Sequence, residues 1–148
     1  MGWIKDFFRG SRKSPEEKER ELKKLNNKEN THERVETLIN ICNDLMDKVN
    51  AKDIHRDDEI FNASIKKVKT NLESTKAYLE QAHLSIKVIN PGNINLILKE
   101  LNEAYKAISS LEDNVIRYIF RLKSDRRAIV TIKSDLNNLI ISLPKVEI

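Results

Sequence analysis

The chain has 148 residues, 34% of them charged, with only three glycines and three prolines. This fits one helical domain of common size and leaves no glycine-rich loop to cradle a phosphate. The single Cys42 excludes an intrachain disulfide, and no apolar run approaches the ~18 residues of a membrane span. The net charge of +4 is carried wholly by residues 1–28, which hold nine bases and five acids. A partner drawn by net charge is therefore expected at the N-terminal end.

The chain opens MGWIKDFFRG. On a helix, Trp3, Ile4, Phe7 and Phe8 share one side, while Lys5, Asp6 and Arg9 fall largely on the other. Arg12 and Lys13 come directly after, so residues 1–13 carry four bases against one acid. A helix this short is marginal in water and needs a surface to fold on. An anionic membrane surface suits it best, because Trp and Phe sit well at headgroup depth while the bases meet anionic lipid. A groove on a partner protein, or the chain's own bundle, would accept the same apolar face. The opening lacks the apolar stretch of a secretion signal. Gly2 is not accompanied by the Ser or Thr at position 6 that myristoylation prefers; Asp6 stands there.

Ser14-Pro15-Glu16-Glu17 reads as a capped helix start, with serine as cap, proline in the first turn and glutamate closing a capping box. The stretch after it is nearly all charged, with Leu22 and Leu25 its only apolar members. A fresh start is expected at Asn30 or Thr31. From there Val35, Leu38, Cys42, Leu45 and Val49 form a seam, widened by Ile39, Ile41 and Met46. Cys42 lies within that seam and reads as a small buried hydrophobe.

After a connection at residues 51–56, Asp57 or Asp58 can cap the next helix. Its seam is Phe61, Ile65, Val68, Leu72, Thr75, Leu79, Ala82, Ile86 and Ile89, alternating 4 and 3 without a slip. Asn90-Pro91-Gly92-Asn93 is the strongest break in the chain, and Asn93 can cap the helix beyond it. A further seam runs through Ile94, Ile97, Leu101, Ala104, Ile108, Leu111, Val115, Tyr118 and Leu122. The same count continues to Asp125, Ile129, Ile132, Leu136, Leu139 and Leu143. A lone buried carboxylate is costly, whereas a carboxylate at a helix start is favourable. The spacing therefore predicts a break at Ser124-Asp125, and Pro144 ends the last helix.

Four main helices are expected: about 31–51, 58–89, 93–123 and 125–142. The expected fold is all-α: an elongated antiparallel helical bundle with coiled-coil-like heptad seams, preceded by a short N-terminal amphipathic helix. Residues 1–13 form the basic amphipathic segment and linker, and residues 14–148 the bundle, with a central hairpin at about 58–123. Long seams also fit assembly with a second copy or with a helical protein partner.

Nothing in the chain reads as an enzyme or as a cofactor or metal site. His32, His55 and His83 fall on different elements and read as separate surface or boundary side chains. The acids of His55-Arg56-Asp57-Asp58-Glu59 are those expected at a helix start. A second basic group comprises Arg117, Arg121, Lys123, Arg126, Arg127 and Lys133. It reads as a solvated face near a helix end, or as a patch for phosphate or acidic groups. The neutral body and the lack of a recognised motif argue against nucleic acid.

The order of parts resembles that of the ESCRT-III and PspA membrane-remodelling superfamily. MGWIKDFFRG stands in place of a short amphipathic opening, which a basic link can follow, and residues 58–123 in place of a long antiparallel helical hairpin. The resemblance is one of arrangement, without a shared motif. The hairpin comes later than in that superfamily, and the acidic C-terminal region of ESCRT-III members is missing. The sequence thus leads to a non-catalytic helical scaffold or adaptor, cytoplasmic and peripheral to a membrane, attached through its opening segment.

Overall fold

The structure is a computed structural model and describes residues 28–54, 57–87 and 92–145. It contains α1 (Lys28–Lys52), α2 (Glu59–Ile86), α3 (Ile94–Ser109), α4 (Asp113–Ile119), α5 (Lys123–Ser142) and a closing 3-10 turn (Leu143–Lys145). The expected amphipathic helix of residues 1–13, the capped start at Ser14-Pro15 and seam residue Ile89 lie outside the described residues.

Helices α1, α2, α3 and α5 each pack on the next, and α5 returns to α1, closing a four-helix bundle. Neighbours run antiparallel. Asn71 of α2 donates to the Ala107 carbonyl of α3 at 3.1 Å, and Asn93 at the foot of α3 donates to the Ser85 carbonyl at 3.4 Å. Lys48 late in α1 pairs with Asp125 early in α5. At 28 residues α2 is about 42 Å long. It exceeds α3, and the short α4 covers the remaining length at its N-terminal end.

The seams explain the core. Val35, Leu38, Cys42, Leu45 and Val49 of α1 are all buried, as are Phe61, Ile65, Val68, Leu72, Thr75, Leu79, Ala82 and Ile86 of α2. In α3 and α5 the buried residues are Ile97, Leu101, Ala104 and Ile108, then Ile129, Ile132, Leu136 and Leu139. Thr75 tolerates its place because its hydroxyl donates to the Asn71 carbonyl at 2.7 Å. At the head of α2, Asp58 Oδ1 accepts from the Phe61 amide at 3.1 Å, the expected cap.

Three expectations need correction. The helix expected over 93–123 has an additional break at residues 110–112, and the break expected at Ser124-Asp125 comes earlier, at 120–122. The breaks shift the seam by one position: Ile116, Ile119 and Phe120 are buried, Val115 and Tyr118 only partly, and Leu122 is 63% exposed. Asn93 occupies the N-cap position of α3 without making a side-chain cap bond, because its amide is turned to Ser85. Last, Asp125 is not the cap of α5. Leu122 takes that position, and Asp125 lies one turn inside, 2% exposed and paired with Lys48. The seam position and the helix start therefore coincide, and a lysine from α1 resolves the burial cost.

Candidate functional site

The corner between α4 and α5 carries the second basic group. Arg117, Lys123, Arg126 and Arg127 line one groove, of about 500 Å³, together with Val130. Arg117, Lys123 and Arg127 are exposed and present their charge to solvent. Arg126 is partly buried and committed to the fold: Nη1 donates to the carbonyls of Phe120 at 3.0 Å and Arg121 at 2.7 Å. It thus satisfies carbonyls left over where α4 ends.

Arg121 and Lys133 do not join that groove. Arg121 lines a neighbouring depression of about 380 Å³ with Lys52, Phe61, Tyr118 and Ile119. There the Lys52 ammonium donates to the Ile119 carbonyl at 2.8 Å and lies 5.5 Å from the centre of the Phe120 ring. Tyr118 donates to Asp58 Oδ2 at 2.7 Å and meets Phe61 edge-on at 6.0 Å. These contacts fasten α4 across the ends of α1 and α2. Lys133 lies further along α5, partly buried. The other expected site residues, Trp3, Ile4, Lys5, Phe7, Phe8, Arg9, Arg12 and Lys13, lie outside the described residues.

At the opposite end of the α1–α2 pair the structure brings together residues expected to be separate. The rings of His32 and His83 stack with centroids 3.8 Å apart and planes inclined by 30°. Glu36, one turn after His32 on α1, places Oε2 4.0 Å from His83 Nε2. Both Nε2 atoms are buried and make no hydrogen bond. Burial first, and then His32, push the His83 pKa below its ordinary value; Glu36 pulls it back, Lys87 lowers it further and Glu80 opposes. A signal for this cluster is present in the register. His32 and Glu36 stand at i, i+4, and the antiparallel α1–α2 pairing sets the first turns of α1 against the last turns of α2.

Cys42 is buried, and that burial pushes its thiol pKa up to about 12 against the opposing influence of Lys76. Its place in the core suits a packing role rather than a nucleophile. No helix among the described residues is long and apolar enough to cross a membrane. Comparison with known proteins yields no matching family model, no matching curated protein and no matching solved structure.

Proposed function

We propose that the protein is a non-catalytic helical scaffold or adaptor, cytoplasmic, that attaches to an anionic membrane surface through its opening segment. The observation that carries this reading is a division of labour along the chain. Four long helices bury their apolar seams against one another, and in the sequence the apolar–basic pattern of Trp3, Ile4, Phe7, Phe8, Lys5, Arg9, Arg12 and Lys13 stands apart, well ahead of the first seam at Val35. Such a pattern is the chemistry of an interfacial anchor.

The groove of Arg117, Lys123, Arg126 and Arg127 supports the same reading, because exposed bases beside it would meet anionic headgroups. Each base near such a surface contributes about 1 kcal/mol. Partial burial of four large apolar side chains adds a few more before the cost of ordering. One copy then binds weakly and reversibly, and firm attachment comes from several copies together.

The test is vesicle co-sedimentation of the full chain and of a Trp3→Glu/Phe7→Glu variant. Loss of binding to anionic vesicles in the variant supports the reading, and equal binding refutes it. Phe7-dependent capture of a protein without any lipid binding would point to a docking peptide. Binding to RNA or DNA that falls steeply with salt would point to nucleic acid.

A further inference from the structure

The geometry points to a divalent transition-metal site built by His32, Glu36 and His83 at the end of the α1–α2 pair opposite α4. One ligand atom from each of the three lies within 4.8 Å of the others. Two imidazoles and one carboxylate form the donor set that holds zinc through three protein ligands and leaves a fourth position for water or another group. Imidazole nitrogen also suits cobalt, nickel and copper, whereas magnesium and calcium prefer oxygen alone.

A further observation favours a ligand. Buried polar atoms are ordinarily hydrogen-bonded, yet Nε2 of His32 and Nε2 of His83 have no partner. A metal ion satisfies both at once. Glu36 and Glu80 favour a cation there and Lys87 opposes it, so the surroundings are mixed rather than repulsive.

The cluster must tighten to act. Donor atoms around a tetrahedral zinc with bonds near 2.0–2.1 Å stand roughly 3.4 Å apart. Rotation of the exposed Glu36 side chain, and of the two rings out of their stack so that both nitrogen lone pairs converge, would supply the difference. His32 and Glu36 come from α1 and His83 from α2, so a bound ion ties the two helices together at the end where the chain enters α1. Metal binding to the folded form then raises the stability of the bundle by mass action.

The experiment uses the full chain with zinc chloride and, for spectroscopy, cobalt chloride. Calorimetric titration of the wild type is expected to show one zinc per chain. His83→Ala and Glu36→Gln should each weaken it by at least about tenfold, while His55→Ala leaves it unchanged. Zinc should raise the melting temperature of the wild type and not of His83→Ala. Should His83→Ala fail to fold, the ring resonances of the wild type still decide. Zinc is expected to move the signals of His32 and His83 together and to leave those of His55 in place. No saturable binding at one ion per chain overturns the site, as does equal affinity in Glu36→Gln and the wild type. Ring shifts spread over all three histidines overturn it too.

Discussion

The carboxylate of Asp125, 2% exposed in the first turn of α5, is paired with the ammonium of Lys48, whose side chain comes from the half-exposed flank of α1. This pair joins the first and last helices of the bundle at the end covered by α4. The carboxylate also sits near the positive end of α5, which favours its charge. Removing the lysine leaves a buried charge without its partner, so Lys48→Met should destabilise the fold by roughly 1–3 kcal/mol. Replacing both residues, with Lys48→Met and Asp125→Leu, should recover much of that loss. A denaturant-unfolding double-mutant cycle measures the coupling. Additive single effects would mean that the two residues do not act as a pair.

The shifted seam around α4 makes a sharp contrast. Phe120 is fully buried beneath the ammonium of Lys52, and Ile119 is buried beside it, whereas Leu122 two positions later is 63% exposed. Truncating Phe120 to alanine should cost about 3–5 kcal/mol, and Ile119→Ala about 2–5 kcal/mol. Leu122→Ala should stay within about 0.5 kcal/mol of the wild type. Thermal or denaturant unfolding of the three variants checks this ordering. A large loss for Leu122→Ala would restore the unbroken seam.

Cys42 should be chemically silent in the folded protein. Burial raises its thiol pKa to about 12, so the reactive thiolate is nearly absent at pH 8. A thiol-specific disulfide reagent should therefore modify the native chain slowly and the unfolded chain at once. Because the folded pKa lies above the unfolded one, the neutral thiol is favoured by folding. The matching contribution to stability is present below the unfolded pKa and fades as pH rises from there toward about 12. Rapid native-state labelling would place Cys42 outside the core.

Much of this architecture is written in period alone. The α2 seam from Phe61 to Ile86 and the α5 seam from Ile129 to Leu143 bury residue for residue as their spacing implies, because an uninterrupted 4–3 alternation can face only one way. The break expected at Ser124-Asp125 falls a few residues earlier, at 120–122, whereas the one at 110–112 is harder to see, since neither glycine nor proline marks it. The acids Glu112 and Asp113 are the available sign of a new helix start. Asp125 departs from its expected role for a different reason: its partner Lys48 comes from α1, and no local rule supplies a counter-charge from across a bundle. The pairing of His32 with His83 has the same origin. Glu36 is legible as the i+4 neighbour of His32, but His83 joins them only through the α1–α2 register.

Membrane attachment through the opening segment is decided by co-sedimentation with vesicles. Wild-type chain and the Trp3→Glu/Phe7→Glu variant would be spun with anionic and with neutral vesicles, after circular dichroism has matched their helical content and melting. The wild type is expected to pellet with anionic vesicles and much less with neutral ones, and the variant to stay in the supernatant with both. Undiminished pelleting of the variant, or a wild type that never leaves the supernatant, would contradict it.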